Sequence, residues 1–179
     1  MEARPDRRIT RTRSALIGAF NNLVMARGRQ RGIKVADIVA EAQVGRSTFY
    51  EHYSSADAIF LDAIRHPFGI LADALTGRGS AASLVALLQH FWENRQLARE
   101  TLTRLDAKVT RVLADMIEQR LADTPLILPA RLAALQLAET ALAPIGGWVT
   151  AEAPCAPEDL AQAIHACAAA MREALTPPQ

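Results

Sequence analysis

Residues 33–61 constrain the fold more than any other part of the chain. Two short runs with helical spacing, residues 35–43 and 46–53, lie on either side of the dipeptide Val44-Gly45. Two short helices joined by a turn of about three residues form the helix-turn-helix unit. We expect Gly45 to supply the backbone freedom that such a turn requires.

The second of these helices has the composition of a surface that meets nucleic acid. Apolar side chains that can join the two helices are Ile38, Val39, Ala42, Val44 and Phe49. The side chains left to face outward are Arg46, Ser47, Thr48, Tyr50 and His52, with Glu51 as the single acid. A helix that faces a polyanion carries hydrogen-bond donors and few acids, so the pattern predicts a DNA-binding helix.

The charge is distributed unevenly along the chain. Residues 1–53 carry ten Lys/Arg against five Asp/Glu, whereas residues 54–179 carry ten against fourteen. A basic head on an acidic body suits a protein whose head meets phosphate, although a chance asymmetry of this size is also possible.

The rest of the chain is predicted to be helical as well. Alanine and leucine dominate, and no segment has the alternation of a strand. The predicted helices outside the motif cover residues 9–27, 55–76, 80–91, 97–122 (as one or two helices), 130–143 and 157–175. Pro67 is expected to bend or break its helix near residues 65–66. Pro144, Gly146 and Gly147 are expected to interrupt the helix that begins at residue 130, with the alternative that it resumes through Trp148.

At this point the sequence resembles the TetR/AcrR family of transcriptional regulators. The resemblance is carried by the residues Val35-Ala36-Asp37-Ile38, Val44-Gly45-Arg46-Ser47-Thr48-Phe49-Tyr50, His52-Tyr53 and Ser55-Ala56-Asp57-Ala58-Ile59. It covers about 45 residues when the first helix is included and does not reach residues 80–179. It implies an all-α protein, with a three-helix DNA-binding head over residues 1–54 and a helical effector-binding and dimerisation body over residues 55–179.

The resemblance also implies a role for individual residues. The DNA contacts that it implies are Arg46, Ser47, Thr48, Tyr50, His52 and Tyr53, and Lys34, at the position of a further family contact, is expected to reach phosphate. Arg46 is expected to contact either a base edge or a phosphate, and Tyr53 to have a packed ring with its hydroxyl near the backbone of DNA or protein.

Two positions depart from the family pattern. Lys34 stands where the family places a Thr or Ser, so it can reach phosphate but cannot cap the helix. Ala56 stands where the family places a phosphate-binding Lys, so one contact is expected to be missing. The N-terminal arginines Arg4, Arg7, Arg8 and Arg11 are the residues that can compensate for it.

In the body, a ligand site and a dimer interface are implied. The candidate ligand residues are His90, Phe91, Trp92, Met116 and Trp148, each of which can equally be ordinary core. The alanine-rich helices at about 128–143 and 157–175 suit a homodimer interface, unless they pack within the monomer.

Other classes of protein lack support in the sequence. No paired carboxylates, nucleophile motif, phosphate loop or metal-ligand set is recognisable, so we expect no enzyme activity, cofactor or metal. No segment reaches the roughly 18 consecutive apolar residues of a membrane span, and a cytoplasmic location is expected. The resemblance to the family implies a regulator, and a repressor because the family leans that way, that binds a near-palindromic DNA operator as a homodimer and is released by a small molecule. The alternative is a helical interaction protein with a degenerate DNA-binding head.

Overall fold

The computed structural model describes residues 7–27 and 32–178, and within these ranges all regular secondary structure is helical, as predicted. The helices are α1 (Arg7–Arg27), α2 (Val35–Glu41), α3 (Arg46–His52), α4 (Ala56–Ala63), α5 (Arg65–Leu75), α6 (Ala81–Glu93), α7 (Arg95–Arg120), α8 (Ala130–Val149) and α9 (Pro157–Leu175).

The chain divides into two compact units, Met1–Ile64 and Arg65–Gln179. The first unit extends ten residues beyond the boundary at residue 54, because α4 packs on α1 and contributes the fully buried Ile59 to its core. Residue 54 stays a prediction for the end of the DNA-binding part.

The core of the first unit is built from one apolar stripe on each of its helices. Its buried members are Leu16, Phe20 and Leu23 of α1, Ile38 and Val39 of α2, Phe49 of α3, Tyr53 just after α3, and Ile59 of α4. Because α2 and α3 have only seven residues each, neither is long enough to persist alone in water. Their helical structure therefore depends on this shared burial.

The turn between α2 and α3 is made differently from our expectation. Gln43, not Gly45, has the left-handed backbone (φ 54°), and Gly45 is extended (φ −73°). The N–H of Gln43 donates to the carbonyl of Ala40 at 3.2 Å, and that of Val44 donates to the carbonyl of Val39 at 3.0 Å. These two bonds form a Schellman motif, which requires its left-handed residue directly after the C-cap. The role given to Gly45 was thus wrong, and Gly45 is instead the N-cap of α3.

The predicted break near Pro67 is confirmed. α4 ends at Ala63 and α5 begins at Arg65, so that Pro67 is the third residue of the new helix. In a first turn the backbone N–H has no partner within the helix, so a proline costs little there.

In the second unit the most extensive helix packing is that of α8 against α7. The predicted interruption at Pro144, Gly146 and Gly147 was wrong, because α8 is one helix from Ala130 to Val149. Pro144 is exposed, while the later Ile145, Trp148 and Val149 are buried. Burial of three such side chains contributes roughly 1.5–3 kcal/mol each, which exceeds the cost of about 3 kcal/mol for an interior proline.

α8 is also long and apolar enough to cross a membrane by length and composition alone. Half of its apolar window is buried inside the protein, however, and nine of its side chains belong to the core. We therefore interpret α8 as the core helix of the second unit.

The left-handed Gln43 gives a test of the turn. A Cβ at this φ is strained, whereas glycine adopts it freely, so Gln43→Gly is expected to raise the free energy of unfolding by about 1 kcal/mol relative to Gln43→Ala. Denaturant unfolding of the two variants measures this difference. Both lack the glutamine side chain, so a less stable glycine variant would contradict the turn described here.

Candidate nucleic-acid interface

One side of α3 is fixed in the core and the other is left outward. Phe49 and Tyr53 are four residues apart, so they lie on the same face, and both are buried. Ser47 and Glu51 lie on the opposite face and are exposed. The two buried rings, with centroids 5.8 Å apart, therefore determine which side chains α3 presents to a partner.

The outward donors of α3 are unoccupied. Arg46, Ser47 and Tyr50 are exposed, and Tyr50 retains 58% of its surface. None of their side-chain polar atoms forms a hydrogen bond or ion pair within the part of the chain that the structure describes. Thr48 and His52, which flank this surface, are half-buried. At 1.5 Å rise per residue, these five side chains lie within about 10 Å along the helix axis.

Lys34 lies at the N-cap of α2 with its side chain exposed and makes no side-chain cap, as expected from its lack of an acceptor. Asp37 compensates in part, since its carboxylate accepts the backbone N–H of Lys34 at 3.1 Å. The ammonium group of Lys34 is thus not used to form the helix.

Tyr53 differs from the other six predicted contacts. It is only 5% exposed, and its hydroxyl donates to Oδ2 of Asp62 at 2.6 Å. Burial and this hydrogen bond to Asp62 raise the pKa of the Tyr53 hydroxyl above its ordinary value. The structure therefore gives Tyr53 a packing role and engages its hydroxyl within the protein.

The residues that hold Tyr53 were not predicted from the sequence. Arg13 of α1 donates through Nε and Nη2 to the two carboxylate oxygens of Asp62 of α4, each at 2.7 Å, and through Nε to the Tyr53 hydroxyl at 3.2 Å. Paired bonds of this kind are strong and directional. The cluster joins α1, the end of α3 and α4, and the separations of 49 and 9 residues from Asp62 left no local pattern by which to find it.

Two further sequence predictions concern Ala56 and the N-terminal arginines. Ala56 is the first residue of α4 and is half-buried against the core of the first unit. Of the predicted N-terminal arginines, Arg11 is exposed on α1, whereas Arg4 and the side chains of Arg7 and Arg8 lie outside the described part of the chain.

The structure brings only part of the candidate ligand set together. The ring centroids of Trp92 on α6 and Trp148 on α8 are 4.9 Å apart. The Arg95 guanidinium carbon lies 5.0 Å from the centroid of the Trp92 ring. Trp148 is buried and donates through Nε1 to the carbonyl of Cys155 at 3.0 Å. His90 is exposed, with Nδ1 3.3 Å from the amide nitrogen of Asn94 on the following turn.

The other two candidate ligand residues, Phe91 and Met116, make contacts with residues other than Trp92 and Trp148. Phe91 is half-buried beside His90, with ring centroids 6.3 Å apart. Met116 of α7 is half-buried, and its methyl group lies against Gly69 of α5.

The Tyr53 hydroxyl gives a test of the cluster. Tyr53→Phe removes one buried hydrogen bond, so the free energy of unfolding near neutral pH is expected to fall by about 1–2 kcal/mol. Because the pKa of Tyr53 is raised in the folded state, its stabilisation is complete below about pH 10 and is lost as the pH rises further. Denaturant unfolding between pH 7 and pH 11.5 should show the wild type and the variant converging above pH 10.

The chain has one other tyrosine, the exposed Tyr50, which provides the matched control. Tyr50→Phe removes an exposed hydroxyl, so the free energy of unfolding near neutral pH should stay unchanged. Equal effects of the two substitutions would show that the Tyr53 cluster does not stabilise the head.

The known proteins that this chain resembles are transcriptional regulators. No family model matches the chain. A stretch of 75 residues, 42% of the chain, is 33% identical to the uncharacterized HTH-type transcriptional regulator YxbF of Bacillus subtilis strain 168. The chain spans about a fifth of the length of that relative.

Solved structures match over nearly the whole chain. A TetR transcriptional regulator from Streptococcus agalactiae 2603V is 25% identical, with a TM-score of 0.54 over 91% of this chain and 96% of that one. Thermus thermophilus FadR, a TetR-family repressor solved in complex with lauroyl-CoA, is 18% identical, with a TM-score of 0.58 over 93% of this chain and 96% of that one. The resemblance to the TetR family is thereby confirmed, and the chain has the fold of that family's transcriptional regulators.

Proposed function

We propose that this protein is a DNA-binding transcription regulator, a repressor that binds a near-palindromic operator as a homodimer and is released by a small molecule. The observation that carries the proposal is the outward face of α3, where Arg46, Ser47 and Tyr50 offer unoccupied donors on a helix anchored by Phe49. Together with Lys34, Thr48 and His52, these side chains match what phosphate and base edges accept.

The DNA contacts give the first test. Arg46→Ala and Tyr50→Ala are each expected to weaken binding to the DNA upstream of the gene by about tenfold, which is the loss of one or two charge-assisted hydrogen bonds. Arg46→Ala should also lower the slope of log affinity against log salt by about one if Arg46 contacts phosphate, and leave it unchanged if Arg46 contacts a base. Fluorescence anisotropy across a salt series measures both quantities.

Arg111→Ala is the matched control, because Arg111 is an exposed arginine on α7, in the other unit. Equal losses in Arg46→Ala and Arg111→Ala would contradict the role of α3. Absence of wild-type binding at low salt, to this DNA and to a random-sequence pool, would favour the alternative of an interaction protein with a degenerate head.

The homodimer is proposed to form through α8 and α9. The exposed face of α9 repeats every three or four residues and consists largely of small side chains, namely Ala163, Ala166, Cys167, Ala170 and Ala174. α8 carries a second exposed stripe with Leu132, Gln136, Glu139 and Ala143. Small residues allow helices to approach closely, as the helices of a four-helix interface do. The opposite faces of both helices are already used within the monomer.

A large charged residue on the small face of α9 tests this interface. Ala170→Arg is expected to convert the dimer to a monomer in analytical ultracentrifugation, because the guanidinium would have to be buried without a partner. Ala86→Arg, at an exposed alanine of α6, is the matched control and should remain dimeric. A dimer that survives Ala170→Arg would place the interface elsewhere.

The effector is proposed to bind in the second unit beside Trp92 and Trp148. A ligand shifts the equilibrium only if it binds the DNA-free state more tightly than the DNA-bound state. Lauroyl-CoA, which the Thermus thermophilus regulator binds, is the first probe to try. These are the only two tryptophans in the chain, so their emission reports directly on a ligand at this place.

The proposal assigns no catalytic role and places the protein in the cytoplasm, where its DNA partner is. The neighbours in the comparison are transcriptional regulators and not enzymes. Among the described residues, no group of three or more His, Cys, Asp or Glu side chains is arranged to hold a metal ion.

A further inference from the structure

We propose that Glu51 is a specificity-determining residue, whose carboxylate accepts a hydrogen bond from the exocyclic amine of a cytosine in the major groove. This inference rests on the proposed function, since it names what one residue of the same surface recognises.

Glu51 lies on the face of α3 that is directed away from the core. At 100° per residue, Glu51 lies about 160° around the helix from Phe49, the buried residue of α3. Glu51 and Ser47 are therefore the two side chains of α3 directed most nearly away from the core. Glu51 is exposed, and its neighbours on the outer face are Ser47 and Thr48. A surface that meets the outer face of α3 therefore meets this carboxylate.

No side chain in the part of the chain that the structure describes neutralises the charge of Glu51. The residues three and four positions away on either side are Ser47, Thr48, Ser54 and Ser55, so no basic side chain is placed to form an ion pair along the helix. No hydrogen bond or ion pair reaches the Glu51 carboxylate from the residues that the structure describes. The carboxylate is therefore free to accept from a ligand, and a structural salt bridge does not account for it.

The phosphates and base edges of DNA determine what the Glu51 carboxylate can bind. A free carboxylate next to phosphates is repelled, so an acid on the outer face of a DNA-binding helix weakens binding unless a donor compensates for it. In the major groove cytosine presents its N4 amine as a donor, and Glu or Asp is the side chain that accepts from it. Glu51 would thus penalise sites that lack cytosine at its position and would be satisfied at sites that have it.

Selection from a random double-stranded DNA pool tests the inference, with the wild type, Glu51→Gln and Glu41→Gln compared. Wild-type sites should carry a cytosine at one position of each half-site. In Glu51→Gln this preference should fall about tenfold, with adenine favoured in its place, because an amide pairs with the N6 and N7 atoms of adenine. The affinity of Glu51→Gln for random DNA should rise, since one negative charge is removed.

Glu41→Gln is the matched control. Glu41 is an exposed acid at the end of α2, where it accepts from Asn22 of α1, so its replacement changes the net charge equally but away from the outer face of α3. It should select the same sites as the wild type. Circular dichroism of all three proteins verifies that they are equally folded.

The outcomes separate the two proposals. If the wild type selects a site and Glu51→Gln selects the same site, the inference is overturned while the proposed function stands. A general gain in affinity without a changed preference also overturns it, because Glu51 would then only repel phosphate. If the wild type binds no DNA in the pool, both proposals are overturned.

Discussion

The burial of Phe49 and Tyr53 is the constraint on which the candidate interface depends. A seven-residue helix has too few internal hydrogen bonds to form alone, so α3 exists because these two rings are packed against the other helices of the first unit. Each ring contributes about 1.5–3 kcal/mol through burial. The same packing leaves the other side of α3 outside the core. The exposed residues on that side are Arg46, Ser47, Tyr50 and Glu51. The Arg13–Asp62 pair holds the end of this helix in place through the Tyr53 hydroxyl.

Most of the head could be predicted because its signals are local. The helical spacing of Ile38 and Val39 on α2, and the break of the helix before Pro67, follow from short-range backbone and packing rules. The composition of α3 predicted which side chains face outward, and the structure leaves six of the seven predicted DNA contacts at the surface of the first unit, at least in part. Their contact with DNA stays a prediction. Tyr53 was harder to place, since a tyrosine that lies on the core stripe can direct its hydroxyl to either DNA or protein.

What the sequence could not predict depends on contacts between distant residues or on competing local terms. Asp62 is 49 residues from Arg13, and neither stands in a pattern that indicates a pair. Gly45 was expected to supply the backbone freedom of the turn because glycine is the most permissive residue, but the hydrogen bonds of the turn place the left-handed conformation at Gln43. Pro144 indicates a helix break locally, and the burial of Trp148 and Val149 outweighs it. In the second unit the rings of the candidate ligand residues Trp92 and Trp148 pack together from two different helices, and such a ring pair is equally typical of a core.

The most direct test of the central claim is amide hydrogen exchange of the wild-type protein with and without a double-stranded DNA of random sequence at low salt. The account predicts slower exchange in α3 and at the start of α2 around Lys34, with α8 and α9 unchanged. Non-specific duplex suffices, because phosphate contacts supply most of this binding. Slower exchange confined to the second unit, or none anywhere while DNA is bound, would contradict the claim that the outer face of α3 is the nucleic-acid interface.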